Sequence, residues 1–189
     1  MILENIRDFD WINEPDNVSF TESGLQITAK PFTDFWQNTD CNFSKDDGHF
    51  FAAYQRNNFV LDGKWFFEHI KDSAQCGLMI RVDEHNWLKI GLLSPNIYHP
   101  QIGVITANNG ASDWSIYDVP SKVTTLWFKL KRCRQDFVAY YSLDGEKYQT
   151  VRMSHIPAAT GAVKAGAYAC SPKDEIFECV LEDINLKNL

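Results

Sequence analysis

The sequence lacks the short motifs that identify several large enzyme classes. It contains no Gly-x-x-x-x-Gly-Lys-Ser/Thr loop, no Gly-x-Gly-x-x-Gly string, no Gly-x-Ser-x-Gly elbow and no His-Glu-x-x-His pair. Those motifs mark P-loop nucleotide binding, dinucleotide binding, serine hydrolysis and zinc proteolysis, respectively. Together, these absences argue against all four classes.

Metal-ligand spacing and targeting signals are also missing from the sequence. None of the five cysteines forms a Cys-x-x-Cys pair, and no two of the five histidines stand at zinc spacing. The N-terminus has no basic region followed by an apolar stretch, and no apolar run reaches the roughly 18–20 residues that cross a bilayer. We therefore expect a cytoplasmic protein with reduced thiols, no metal, no cofactor and no membrane partner.

Positive charge is scarce. The chain has 18 Lys and Arg against 25 Asp and Glu, a net charge of −7, which argues against a nucleic-acid partner. Aromatic residues are plentiful at 14% of the chain, which is too much apolar surface for a disordered protein. The 189 residues suffice for one sizeable core, so we expect a single domain over residues 1–189.

The dominant pattern in the chain is an alternation of apolar and polar residues with a period of two. In two neighbouring segments the side chains predicted to face inward are Cys76, Leu78, Ile80, Val82, Leu88 and Ile90. The side chains predicted to face outward are Met79, Arg81, Asp83, Trp87 and Lys89. Alternation of this kind is typical of β-strands with one buried face. Phe128, Phe137 and Phe177 are predicted to lie in the core.

Short turn signals separate the alternating segments. They are Asp47-Gly48, Asp62-Gly63, Asp83–Asn86, Asn109-Gly110 and Leu143–Glu146. No long segment sustains the 3.6-residue period of an amphipathic helix. Short strands with frequent turns predict an all-β fold, an antiparallel two-sheet sandwich.

Several strings, in this order, resemble one family of proteins. They are Thr33–Trp36, Asp47–Phe51, Gln75–Arg81, Trp87–Gly91, Ser112–Ser115 and Gly166–Pro172. Over roughly residues 10–185 the chain resembles the DUF1349 family. The resemblance implies a jelly-roll sandwich of the concanavalin A-like lectin/glucanase type with one concave sheet. Relatives commonly carry Lys-x-Gly-x-Glu where this chain has Lys89–Leu93, so Leu93 replaces an acidic group expected at the groove.

Aromatic and charged side chains share the predicted outer face of the central strands and the segments beside them. The predicted ligand-binding residues are Asp34, Trp36, Gln75, Arg81, Trp87, Lys89, Asp113 and Trp114. Aromatic rings stack on sugar rings, and charged and amide groups bond hydroxyls or carboxylates. The alternative is that the three tryptophans pack under loops, with Arg81 and Asp113 merely paired nearby.

Three other groups of residues have a simpler interpretation. Asp46–His49 resembles a calcium-binding run, but a polar turn explains it as well. The string Leu130–Arg134 places Cys133 between two arginines and is interpreted as a solvated strand end. Glycoside hydrolysis needs two carboxylates about 5–10 Å apart. The Glu-x-Asp-x-Glu arrangement of related glucanases is absent. Glu68, Asp34 and Asp113 are possible substitutes, but the sequence does not give their separation, so we predict no catalytic residue.

We therefore expect a lectin-like protein that binds a carbohydrate or another polyhydroxylated or anionic metabolite in the concave face. Trp36, Trp87 and Trp114 would stack on the ligand, and Arg81 and Lys89 would make the cleft locally positive. The alternatives are a regulatory module that binds another protein and a glycoside-active enzyme with an unrecognised carboxylate pair. A homodimer stays open because sheet edges can pair between chains.

Overall fold

We describe the protein from a computed structural model, which covers residues 6–40, 42–95 and 98–189. Across these residues the chain forms two seven-stranded sheets and one two-stranded sheet, and every strand pair is antiparallel. The expected all-β, two-sheet sandwich is thus confirmed. The covered residues include no helix of the length and hydrophobicity required to span a membrane.

The first sheet is built around a four-strand meander, with the strand β15 inserted beside it from late in the chain. Its spatial order is β1 (Asp10–Ile12), β6 (His49–Gln55), β15 (Val163–Cys170), β8 (Gln75–Asp83), β9 (Asn86–Leu93), β10 (Gln101–Asn108) and β11 (Ala111–Asp118).

The second sheet has a late strand, β16, inserted between β7 and β3. Its spatial order is β14 (Gln149–His155), β13 (Asp136–Ser142), β12 (Thr125–Cys133), β7 (Phe59–Phe66), β16 (Phe177–Asn188), β3 (Gly24–Ala29) and β2 (Asn17–Thr21). The small third sheet pairs β4 (Phe35–Trp36) with β5 (Lys45–Asp46).

Most of the predicted turns lie where expected. Residues 84 and 85 join β8 to β9, and residues 143–148 join β13 to β14. Asn109 and Gly110 join β10 to β11 with φ angles of 50° and 78°, a left-handed pair that Asn-Gly adopts readily. The turn expected at Asp62-Gly63 is wrong, because both residues lie inside β7. Gly63 leaves room for the side chain of Leu78, which a Cβ would approach to 3.1 Å.

The main hydrophobic core lies between the facing surfaces of the two large sheets. It contains the inward side chains predicted for β8 and β9, among them Leu78 and Ile90, and it also contains Phe128, Phe137 and Phe177. These core predictions are confirmed. Burial of this alternating face is the main stabilising contribution to the sandwich.

A second, smaller hydrophobic cluster lies on the outer face of the first sheet. Its buried members are Phe35, Phe50, Ala52, Met79, Trp87, Ile105, Ala107, Tyr168 and Cys170. Residues 31–40 and 42–48, which we call the cover segment, carry Phe35 and Trp36 onto this face. Met79, Trp87 and Lys89 belong to the face opposite the main core, as predicted, but all three are fully buried there.

Two buried basic side chains join loops to the sheets. The Arg132 guanidinium donates to the backbone oxygens of Arg134, Gln55, Ala159 and Gly161 at 2.8 to 3.1 Å. Its burial shows that the predicted solvated strand end at Leu130–Arg134 is wrong at this residue, although Cys133 is exposed.

The second of these side chains is His49. Its Nδ1 lies 2.6 Å from the carbonyl oxygen of Asn13, and its Nε2 accepts from the backbone N–H of Lys30 at 3.1 Å. An acceptor at Nε2 requires the neutral imidazole. Burial lowers the pKa of His49, in agreement with that requirement.

Candidate functional site

A buried lysine organises the underside of the cover segment. The Lys89 Nζ donates to Asp34 Oδ1 at 3.2 Å, to the Phe35 carbonyl oxygen at 2.8 Å and to Gln75 Oε1 at 2.8 Å. The Lys89 side chain is 1% exposed and that of Asp34 is 13% exposed. A buried ammonium needs partners of this kind, because it has lost its water.

A second ion pair holds the other end of the cover segment. The Arg81 guanidinium forms a bidentate ion pair with the carboxylate of Asp46. The contact from Nη2 to Oδ2 measures 2.7 Å. Bidentate ion pairs are both strong and directional. Asp46 is thus a structural partner of Arg81, which agrees with the polar turn preferred for residues 46–49.

A cavity of about 340 Å³ lies beside this network, on the outer face of the first sheet. Its walls come from the start of β8, the end of β9, β10, β11 and the loops around them. The lining residues are Asp34, Trp36, Asp72, Ser73, Gln75, Leu93, Ser94, Pro95, Ile105, Trp114, Pro172 and Lys173. Small-molecule pockets span about 300–1,000 Å³, so this cavity has room for a small ligand.

Two tryptophans form an aromatic wall of the cavity. The rings of Trp36 and Trp114 meet edge to face, with centroids 6.2 Å apart and an interplanar angle of 88°. The Trp36 indole N–H donates to the Thr39 carbonyl oxygen at 2.6 Å, which holds its ring within the cover segment. Trp114 lies on β11, directly opposite Ile105 of β10, and is 49% exposed.

The structure divides the eight predicted site residues into two groups. Four of them line the cavity: Asp34, Trp36, Gln75 and Trp114. The other four do not. Trp87 is buried beneath the cover segment, Lys89 and Arg81 are engaged in the ion pairs above, and the exposed Asp113 pairs with Arg152.

The expected positive charge of the cleft is wrong for a simple reason. Each of the two cations that led to this expectation has an aspartate partner, Arg81 with Asp46 and Lys89 with Asp34. Each pair has no net charge. The ligand preference has to be worked out from the groups that remain unpaired in the cavity.

Asp34 has one saturated carboxylate oxygen and one free one. Its Oδ1 accepts from the Phe35 N–H at 2.8 Å, from Lys89, from Gln75 Nε2 at 3.4 Å and from the Cys170 thiol at 3.7 Å. Burial raises the pKa of Cys170 well above its usual range, so the thiol keeps the proton it donates. No described residue bonds Oδ2 of Asp34, so this oxygen is a rigidly held acceptor within the cavity lining.

The sequence analysis missed most of the loop residues that line the cavity. Asp72, Ser73, Ser94 and Lys173 belong to connections between strands, where no alternation pattern extends. Ser73 has a φ of 60°, which is unusual for a residue other than glycine and is a recurring property of functional loops. Leu93 lines the cavity as an apolar wall, in the position where the family resemblance led us to expect an acid.

No group of three or more His, Cys, Asp and Glu side chains with the geometry to hold a metal ion occurs within residues 6–40, 42–95 and 98–189.

A family profile described as "Protein of unknown function (DUF1349)" matches residues 11–189. The chain belongs to the DUF1349 family. A relative in Saccharomyces cerevisiae, named "Regulation of enolase protein 1", is 28% identical to this DUF1349 protein over 166 residues, which is 86% of this chain and 81% of the relative. The family resemblance stated from the sequence is therefore confirmed.

Solved structures confirm the jelly-roll sandwich of the concanavalin type. A crystal structure of a functionally unknown S. cerevisiae protein superposes with a TM-score of 0.90 at 23% identity, covering 97% of this chain and 98% of that one. The carbohydrate-binding module CBM66 from Bacillus subtilis superposes with a TM-score of 0.63 at 15% identity, covering 97% and 98%. The glycoside hydrolase GH43 protein BlXynB from Bacillus licheniformis gives 0.77 at 14% identity, with 96% of this chain matching 37% of that enzyme.

Proposed function

We propose that this DUF1349 protein binds a carbohydrate, with one sugar ring held in the cavity between Asp34 and the Trp36–Trp114 pair. The observation that carries the proposal is the free Oδ2 of Asp34, held in place by four donors on Oδ1 beside an aromatic wall. We take residues 1–189 as one cytoplasmic domain, as the sequence analysis predicts.

The chemistry of the cavity suits a sugar ring. Indole faces offer an apolar surface for the C–H side of a ring, while a carboxylate oxygen, the Gln75 amide and the hydroxyl of Ser73 suit its hydroxyl groups. Apolar walls with a few well-placed polar groups are the usual composition of a small-molecule site. The fold shared with CBM66 and with part of a GH43 enzyme supports the same class of ligand.

The test is a titration of the protein with a panel of monosaccharides and disaccharides, followed by NMR chemical shifts. Trp114→Ala removes half of the aromatic wall at an exposed position, and we expect it to weaken sugar binding at least tenfold, about 1.4 kcal/mol. Ile116→Ala is the matched control. Ile116 is 47% exposed, lies two residues along the same strand face and does not line the cavity.

Ile116→Ala is expected to bind sugars as the unaltered protein does. If no sugar shifts the resonances of cavity residues, the carbohydrate proposal is wrong. If both variants bind a sugar equally well, its placement against the Trp36–Trp114 pair is wrong.

A glycoside-active enzyme has one observation in its favour, which is that two carboxylates, Asp34 and Asp72, line the cavity. An acid catalyst has to hold a proton, whereas Asp34 accepts bonds from an ammonium, an amide and a backbone N–H. Release of nitrophenol from a panel of aryl glycosides, abolished by Asp72→Asn, would establish the enzyme instead of the binding protein.

A regulatory role has support from the name of the yeast relative alone. Binding of a sugar and regulation of a partner protein are compatible in one chain. A stable complex with a protein partner that forms equally well with Trp114→Ala would place the regulatory surface outside the cavity.

A further inference from the structure

The two carboxylates of the cavity differ in how their charge is compensated. Asp34 has the Lys89 ammonium as its partner, together with an amide and a backbone N–H. Asp72 has an oxygen, Oδ1, that is shielded from solvent and bonds no residue of the described chain. Asp72 also forms no ion pair with any of those residues, although it lines the cavity.

A shielded carboxylate oxygen without a donor is unfavourable, because it has lost its water and gained nothing in exchange. Proteins keep such groups where a ligand, an ion or an ordered water supplies the missing donor. The negative charge is shared by both oxygens of Asp72, so a donor that meets either oxygen from the cavity relieves it.

The surrounding groups define which kind of donor fits. Among the described residues, the only cation that lines the cavity is Lys173, which is exposed and forms no ion pair with any of them. The Asp34–Lys89 pair is neutral overall, so Asp72 is the carboxylate of the cavity lining whose charge no described cation pairs. A positively charged donor gains most from that charge, because hydrogen bonds between ions are about twice as strong as those between neutral groups.

We infer that the cavity prefers a sugar that carries a protonated amine, with the ammonium group on Asp72 and the ring hydroxyls on Asp34 and Gln75. This inference rests on the proposed carbohydrate function and names the class of sugar within it. It reverses the neutral or anionic ligand expected from the sequence, because the cations behind that expectation are already paired.

The experiment compares three probes that differ at one ring substituent: D-glucosamine, D-glucose and N-acetyl-D-glucosamine. Their dissociation constants are measured by NMR titration at about pH 6.5, where a free amine of ordinary pKa is protonated. We expect glucosamine to bind about tenfold more tightly than either neutral sugar. Raising the salt concentration should reduce this ratio, because ions screen the contact with Asp72.

Asp72→Asn tests the assignment to this side chain. It should bring the ratio of glucosamine to glucose affinity close to one, because the charged contact with the ammonium group is lost. Asp174→Asn is the matched control, since Asp174 is an exposed aspartate that does not line the cavity, and it should leave the ratio unchanged. Lys173→Gln should raise the ratio, because it removes the cation that repels the ammonium.

The outcomes separate this inference from the function on which it rests. If none of the three sugars binds, the carbohydrate proposal itself is wrong. If the neutral sugars bind as tightly as glucosamine, only the preference for an amine is wrong. If glucosamine keeps its advantage in Asp72→Asn, with unfolding midpoints that show the variant is folded, the ammonium lies elsewhere and the inference is overturned.

Discussion

Replacing Lys89 by methionine is the most direct perturbation of the buried network beneath the cover segment. Methionine is close to the lysine stem in size and shape but lacks the ammonium. The variant leaves the carboxylate of Asp34, the carbonyl oxygen of Phe35 and the amide oxygen of Gln75 without the donor now at 2.8 to 3.2 Å. Removing one partner of a buried ion pair destabilises a protein by about 3–5 kcal/mol.

That loss is a large share of the roughly 5–15 kcal/mol by which a domain of ordinary stability is folded. The double variant Lys89→Met with Asp34→Asn removes both charges, and we expect it to lose less than Lys89→Met alone. It leaves no uncompensated buried ion, although the Phe35 carbonyl oxygen and the Gln75 amide oxygen still lack their donor. The two substitutions should therefore be strongly coupled. The sum of the free energies of unfolding lost in the two single variants should exceed the free energy lost in the double variant.

Urea unfolding of the unaltered protein, the two single variants and the double variant gives these free energies. Equal dependence of the free energy on urea concentration in all four would show that a similar structure unfolds in each. Lys30→Met is the matched control. Lys30 forms its pair with Asp16 at the surface, at 2.8 Å, with side chains 41% and 76% exposed, and such pairs contribute about 0–1 kcal/mol. A loss below about 1 kcal/mol in Lys89→Met, or strict additivity in the double variant, would refute the account of the buried network.

Three further predictions follow from single side chains. Burial lowers the pKa of His49, so below about pH 6.5 the unfolded state binds more protons than the folded state. The free energy of unfolding should therefore fall as the pH drops from 7 to 5. Urea titrations at each pH should show a weaker pH dependence for His49→Gln. Arg132→Lys replaces a forked donor set by a single ammonium and should destabilise the protein by roughly 2–4 kcal/mol, whereas Arg134→Lys at the exposed neighbour should change the urea midpoint little. Hydrogen bonds from two backbone N–H groups and the Ser142 hydroxyl lower the pKa of Asp144 to about 2, and Ser142→Ala should raise the value measured by NMR titration, while an unchanged value would contradict this cause.

The alternation of apolar residues was sufficient to predict the main core. It identified the inward face of β8 and β9 from Leu78 and Ile90, because one face of each strand meets the second sheet, as in any sandwich. The same pattern assigned Trp87 and Lys89 to the opposite face but gave no sign that a further layer buries them there. Period-two alternation describes a strand relative to one neighbouring layer and carries no information about a distant segment that covers the other side.

A signal for this second layer was present in the sequence. Residues 76–80 and 87–93 are nearly continuous apolar runs, which are typical of strands buried on both faces. A lysine inside such a run needs a carboxylate partner from elsewhere, and this partner is Asp34. The cavity residues Asp72 and Ser73 stand in a loop, and only the three-dimensional arrangement brings them to the ends of β8 and β9.

The positions of β15 and β16 have a consequence for how the chain is made. β15 lies between β6 and β8, and β16 lies between β7 and β3, so each large sheet has a central gap until residues 163–188 have been synthesised. During translation the strands made earlier have unpaired edges, which can form non-native pairings with other strands. We expect slow folding dominated by distant pairings, and a strong dependence of yield on chaperones while the ribosome completes the last strands.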